Sequence, residues 1–241
     1  MMKNSINTLL LAGLTLSLYF SLQACSEPAT GNTTEVGSLA SPAASASVND
    51  DRVRAVDLKP APGKAIAAFA EGCFWHSEII FESLQGVDSV VSGYAGGKTR
   101  NPGYEEVGSG NTGHAETALI YYDPKKIFYT QLLNAFFLSH DPSQLNRQGN
   151  DVGTQYRSVA FYQTPEEKDA IKAAIAQTQR SNPDKLIVTE VMPLTTFYRA
   201  EGYHQDYIAH NPNEGYVQNV CIPEYKEFRS VYKGPLKKTA Y

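Results

Sequence analysis

Ile66-Ala67-Ala68-Phe69-Ala70-Glu71-Gly72-Cys73-Phe74-Trp75-His76-Ser77-Glu78 carries an apolar run into a helix-like pattern across a single glycine. A strand that ends in Gly and turns into a helix places Cys73 at the helix N-terminus. Unpaired backbone N–H groups and the helix dipole there favour an anion, here a thiolate. The stretch also holds the protein's only Trp and one of its three cysteines. A thiolate between Phe74 and Trp75 reads as a nucleophile on the wall of a small apolar pocket. The bland alternative is an inert packed cysteine, the commoner fate of an isolated Cys.

Outward from this stretch, elements alternate along one folded domain. Lys64 to Glu71 reads as a buried strand, with a helix from Phe74 to Leu84. Val87 to Tyr94 and Glu116 to Tyr122 read as strands, separated by a loop rich in Gly, Asn and Thr that is too long for a mere connection. Asp123-Pro124 opens a helix with Leu132, Leu133, Phe136 and Phe137 on its apolar face. A second polar loop, His140 to Gln155, precedes a strand from Arg157 to Gln163. Thr164-Pro165-Glu166-Glu167 then starts a helix with Ile171, Ala174, Ile175 and Thr178 on one face. Ile187 to Pro193 is a further strand, Glu201 to His210 a last helix, and the tail is polar. This order predicts an α+β fold, a single-domain sandwich with a mixed sheet covered by helices and long active-site loops. No Gly-rich phosphate loop opens a helix, so a doubly wound nucleotide fold fits poorly.

The 241-residue chain has 42% hydrophobic residues, enough for a real core, and a formal net charge of −4, which gives no reason to propose nucleic-acid binding. Its first 24 residues stand apart. Lys3 precedes an apolar stretch, Leu9 to Leu22, that is short for a membrane span and fits a secretory signal peptide over residues 1–24. Leu22-Gln23-Ala24-Cys25 resembles the lipobox of bacterial lipoproteins. That resemblance implies cleavage before Cys25, lipidation of its sulfur and, with Ser26 following, an extracytoplasmic protein anchored at the periplasmic face of an outer membrane where one exists. The alternative is an ordinary signal peptide ending near Cys25. Residues 25–63, rich in Ser, Ala, Thr, Pro and Gly, read as a flexible linker reaching about 30–35 Å as a random coil. The folded domain is then 64–241.

Four stretches gather unusual residues at loops and strand ends: Gly72-Cys73-Phe74-Trp75, Asn101-Pro102-Gly103-Tyr104-Glu105-Glu106-Val107, Thr112-Gly113-His114-Ala115-Glu116 and Asn146 through Ser158. With Gly93-Tyr94-Ala95-Gly96-Gly97 and Ala200-Glu201-Gly202-Tyr203-His204-Gln205, the set resembles the peptide-methionine (S)-S-oxide reductases, the MsrA family, over nearly the whole domain. The resemblance implies that family's ferredoxin-like plait and a thiol-dependent reduction of methionine-(S)-sulfoxide, protein-bound or free. Cys73 would attack the sulfoxide sulfur and become a sulfenic acid. Glu116 matches the family's acid, which must be buried to stay protonated near neutral pH. Tyr104 and Tyr156 match phenols that hydrogen-bond the sulfoxide oxygen, and Asp151 a carboxylate near the nucleophile. Phe74 and Trp75 match the pocket for the terminal methyl group, with His204 and Tyr207 lining the substrate site at greater remove. The family implies no bound cofactor or metal, and an external reductant, a thioredoxin-like protein or dithiol.

The regeneration machinery departs from the family pattern. Many members carry a resolving cysteine directly after a Gly-Tyr near the C-terminus; here Gly215-Tyr216 is followed by Val217, and Cys221 lies further on. Cys221 is either a resolving thiol delivered by a mobile tail or a packed residue. Competing functions are a cysteine hydrolase pairing Cys73 with His114 or His204, a zinc hydrolase built on His114-Ala115-Glu116, and a binding module that has kept only the fold.

Overall fold

The computed structural model describes residues 53–238. The segment read as a signal peptide, Cys25 and most of the expected linker lie outside the described residues. Among the described residues no helix is long and apolar enough to cross a membrane.

The chain runs through β1 (Arg54–Ala55), β2 (Ala65–Ala70), α1 (Phe74–Glu82), β3 (Val87–Ala95), α2 (Tyr104–Gly108), β4 (Ala115–Tyr122) and α3 (Tyr129–Ser139). A small hairpin, β5 (Arg147–Gln148) and β6 (Asp151–Val152), is followed by β7 (Val159–Tyr162), α4 (Pro165–Ser181), β8 (Glu190–Pro193), β9 (Phe197–Arg199), α5 (Tyr207–His210) and α6 (Ile222–Val231). Seven strands form one sheet in the order β1-β9-β3-β4-β2-β7-β8, antiparallel except for the parallel pair β7–β8. The mixed sheet and α+β architecture are those expected from the sequence.

Period-two alternation sorts the central strands onto two faces. Ala67 and Phe69 of β2 join Ala118 and Ile120 of β4 in the core that packs on the helices. There Phe69 stacks on Phe81 of α1 and Phe136 of α3, with ring centroids 5.5 and 5.0 Å apart. Ile66, Ala68 and Ala70 point the other way, toward Leu119, Val159 and Phe161. The second face is covered without a helix: Val56 and Leu58, from the segment after β1, pack against it.

Four local expectations are corrected. The linker does not extend to residue 63: Val53 is buried and β1 pairs with β9, Arg54 opposite Arg199. Asp123-Pro124 makes a turn instead of a helix start, and α3 begins at Tyr129 after the Gln131 side chain accepts the Phe128 N–H. The helix expected over 201–210 is split, because Asp206 takes a left-handed conformation (φ 53°) between a one-turn helix at Gly202–His204 and α5. The tail is helical: a wide π-type turn at Val217–Cys221 runs into α6, whose Tyr225 and Phe228 are buried in the main core.

Candidate active site

Two glycines set the ground for the site. Gly72 has φ +117°, and a Cβ there would lie 2.8 Å from the Gln148 side chain, so β2 turns into α1 under the hairpin with no room for another residue type. At Gly93 a Cβ would lie 2.2 Å from the Tyr198 carbonyl oxygen, which lets β9 close on β3.

Cys73 is the N-cap of α1, in extended conformation, and its carbonyl accepts the N–H groups of His76 and Ser77. The first N–H inside the helix, that of Phe74, donates to Oε2 of Glu116 at 3.1 Å. The helix terminus therefore grips a carboxyl group on β4 next to the cysteine. The expected thiolate is not the resting state. Burial pushes the Cys73 thiol well above its ordinary value, the acidic groups of Glu116, Cys221 and Asp151 around it add to this, and the Trp75 N–H opposes it only in part. One helix terminus is outweighed by desolvation and like charge.

Glu116 is 2% exposed. Burial raises its pKa to about 8; the Phe74 N–H works against this and Asp151 with it. The carboxyl group is thus protonated at neutral pH, as general acid chemistry on an uncharged oxygen requires.

Cys73 and Glu116 face a cleft of about 180 Å³, closed by Phe74, Trp75, Tyr104, Tyr156, Asp151 and Tyr216. The volume suits the end of one side chain better than a whole cofactor. Tyr104 opens α2, and its N–H donates to Glu201 Oε1 at 2.9 Å, while the Tyr94 hydroxyl donates to Glu201 Oε2 at 2.9 Å. Tyr156 ends a one-turn helix at Thr154–Tyr156 that is tied to the other loop by Gln155 Nε2 donating to the Gly108 carbonyl and Thr154 Oγ1 to that of Gly110. Burial and then the charge of Glu116 raise both phenols, which stay protonated donors. Asp151, at the head of β6, accepts a hydrogen bond from the Tyr216 hydroxyl. Burial raises its pKa and that bond lowers it.

His204 and Tyr207, expected at greater remove from the substrate, stand behind the wall of the cleft. Trp75 stacks on Tyr207 with ring centroids 3.7 Å apart and 5° between planes, and its Nε1–H donates to His204 Nδ1 at 3.2 Å. The His204 ring also packs on Phe74 and Tyr104, at 4.9 and 4.5 Å. Burial lowers His204 to about 4, so it is neutral. Two residues the sequence reading passed over belong to the site: Tyr216, which closes the cleft, and Glu201, which anchors Tyr104. Both lay in quoted stretches, as the Tyr after Gly215 and the Glu before Gly202.

Cys221 is fully buried at the end of the π-type turn, beside Val217 and Ile222 in the main core, and is not disulfide-bonded. It is near enough for its charge to act on Cys73, and burial pushes its own thiol up to about 12. Of the two readings, the mobile tail and the packed residue, its segment has the second form: it is packed helix.

The zinc reading fails on His114. Its Nδ1 accepts the Gly97 N–H at 3.1 Å and its Nε2 lies 2.8 Å from the Thr99 carbonyl oxygen, so both ring nitrogens are committed to loop structure. His204 accepts the Trp75 N–H at Nδ1, so the other nitrogen of its neutral ring carries the proton, which leaves neither histidine with a free lone pair to serve Cys73 as a hydrolase base.

The family model for peptide methionine sulfoxide reductase matches residues 65–235. The chain belongs to that family.

Peptide methionine sulfoxide reductase MsrA 1 of Rhodopirellula baltica is 46% identical over 182 residues, covering 76% of this chain and 94% of the relative. An MsrA of Deinococcus radiodurans is 44% identical over 180 residues, covering 74% and 87%. Among solved structures, methionine sulfoxide reductase A of Corynebacterium diphtheriae superposes with TM-score 0.59 at 34% identity, over 64% of this chain and 78% of its own. Mxr1 of Saccharomyces cerevisiae in reduced form gives 0.61 at 32%, over 65% and 91%. In a peptide methionine sulfoxide reductase, a buried acid beside a cysteine in an aromatic cleft is the arrangement the chemistry needs: a nucleophile for sulfur, a proton for oxygen and a dry seat for a methyl group.

Proposed function

We propose that this protein is an oxidoreductase that reduces methionine-(S)-sulfoxide to methionine, in oxidised proteins and as the free amino acid, and so repairs oxidised proteins. The observation that carries this reading is the hydrogen bond from Phe74 N–H to Glu116, which sets a buried acid, protonated near neutral pH, beside the nucleophile. The sulfoxide oxygen points to Glu116 and the phenols of Tyr104 and Tyr156, and the methyl group lies against Phe74 and Trp75. Contacts of sulfur and methyl with these rings are worth about 0.3–1.5 kcal/mol each, enough to orient one epimer. Cys73 attacks sulfur as Glu116 protonates oxygen; the hydroxyl then passes from the substrate sulfur to that of Cys73 as the transient S–S bond breaks, methionine leaves, and Cys73 carries the sulfenic acid.

Cys221 is the candidate for the next step. Its thiol attacks the sulfenic sulfur, a Cys73–Cys221 disulfide forms and water leaves. Cys221 is packed at the end of the π-type turn, and turns of this kind are frequent at functional sites, so movement of that turn is the route by which its sulfur reaches Cys73. The disulfide then takes two electrons from an external dithiol, a thioredoxin-like protein. The lipobox-like Leu22-Gln23-Ala24-Cys25 supports lipidation at Cys25 and a membrane-anchored, extracytoplasmic address, where the donor must also reside.

A soluble form beginning after Cys25, mixed with methionine-(S)-sulfoxide without reductant, tests the reading. About one methionine per enzyme, abolished in Cys73→Ser, is the expected result. A folded wild type that releases none would reject reductase activity in favour of a binding module.

A further inference from the structure

A second cavity, of about 70 Å³, also reaches Cys73. Its polar walls come from Glu71 at the end of β2, His76 of α1, Ser139 of α3 and Glu224 of α6. That volume has room for ordered water, which needs about 10–15 Å³ per probe sphere and two to four polar partners.

Glu71 is 1% exposed. Its Oε2 accepts the Ser139 hydroxyl at 2.7 Å, while Oε1 is buried with no protein partner. An orphan carboxylate oxygen of this kind calls for water or a proton. His76 Nε2 faces the Ser139 carbonyl at 3.3 Å, and Nδ1 lies 3.1 Å from Glu224 Oε2, an ion pair when the ring is protonated. The Glu224 side chain is 40% exposed and opens this set to solvent.

The main reaction leaves one proton unassigned. Cys73 starts as a thiol and Glu116 starts protonated. When the S–H bond breaks and Glu116 gives its proton to oxygen, the thiol proton needs a base and the Glu116 carboxylate must later be refilled. The net change, Cys73–SH plus sulfoxide to Cys73–SOH plus sulfide, balances only if that proton is held and returned. We propose that Glu71 is the proton acceptor for Cys73, acting through water in this cavity, with His76 and Glu224 exchanging the proton with solvent. Four charged or titratable groups face Glu71 besides the cysteine: His76 from α1, His140 after α3 with Nδ1 at 3.9 Å, Glu224 from α6 and, across the cavity, Asp151 from β6. Burial lowers His140 to about 4, so it is neutral and gives no competing cation. Burial lifts Glu71 to about 7, and the charge of His76 holds it from rising further, so at neutral pH Glu71 can both take and release a proton.

This inference rests on the reductase reading, but its test does not. Alkylation of Cys73 by iodoacetamide, read on the Cys73 peptide by mass spectrometry across pH 5–9, needs no sulfoxide. Wild type should show an inflection near pH 7, because a thiol and a carboxyl that share a proton titrate as a pair. Glu71→Gln should lose that inflection and slow single-turnover methionine release at pH 7 at least tenfold, with KM unchanged. His76→Gln removes the cation that favours the carboxylate and should move the inflection to higher pH. A Glu71→Gln enzyme with the wild-type profile would overturn the proposal. Should Glu71→Gln not fold, an unmoved inflection in His76→Gln overturns it equally.

Discussion

The N–H of Phe74 and Oε2 of Glu116, 42 residues apart in the chain, are joined at 3.1 Å inside the core. The bond fastens the start of α1 to β4 and fixes the acid relative to Cys73. Glu116→Gln keeps an oxygen to accept it, so the variant should fold while losing the transferable proton. Single-turnover reduction should fall by about 10²–10⁴.

The same acid predicts a pH profile. Glu116 titrates at about 8, so the rate should fall as pH rises through that value and the donor is lost. Stopped-flow methionine release across pH 6–9.5 measures this limb. In Glu116→Gln the limb should be absent.

Three carboxyl groups are held above their ordinary range mainly by burial: Glu71 at about 7, and Glu78 and Glu116 at about 8. Each is neutral in the fold at a pH where the unfolded chain is ionised. Their contribution to stability is therefore complete below about pH 4.5 and is lost as pH rises through 7 to 8. Tm should drop between pH 5 and pH 8.5, and Glu78→Gln should flatten that slope.

Much of this site was legible because its residues sit in short stretches whose geometry is local: Gly72-Cys73-Phe74-Trp75 spans a strand–helix junction, and Tyr104 begins a short helix. What the sequence withheld depended on tertiary context. The helix dipole argued for a Cys73 thiolate, but burial and three acidic neighbours prevail, and those come from distant segments. The tail passed as polar although Val217, Cys221, Tyr225, Phe228 and Tyr232 recur at helical spacing and are all buried. The left-handed Asp206 that splits the 201–210 segment left no such signature.

Trp75 is held on one face by Tyr207 and at its edge by His204. Trp75→Ala should cost about 3 kcal/mol of stability, the low end for large aromatic deletions because the ring is partly exposed. It should also raise KM for the sulfoxide, while Tyr207→Leu should raise it less because the indole remains. Steady-state kinetics with a dithiol reductant separates the two.

Thiol counting assigns the regeneration step. After one turnover, wild type should lose both the Cys73 and Cys221 thiols. Cys221→Ser should release the same single methionine, lose one thiol, and turn over slowly with a thioredoxin-like donor. Retention of the Cys221 thiol in wild type would transfer the resolving step to the donor.

Strand β1, two residues long, meets the sheet only through β9. Val53, just ahead of it, is buried in one cluster with Phe74, Tyr94 and Tyr198, against which Cys73, Trp75 and Tyr104 also pack, so tension on the chain ahead of Val53 is felt first at the wall of the cleft. The amino-terminal side is thereby geared to the site: a pull that dislodges Val53 loosens the packing behind Phe74, on which the substrate's methyl group would rest.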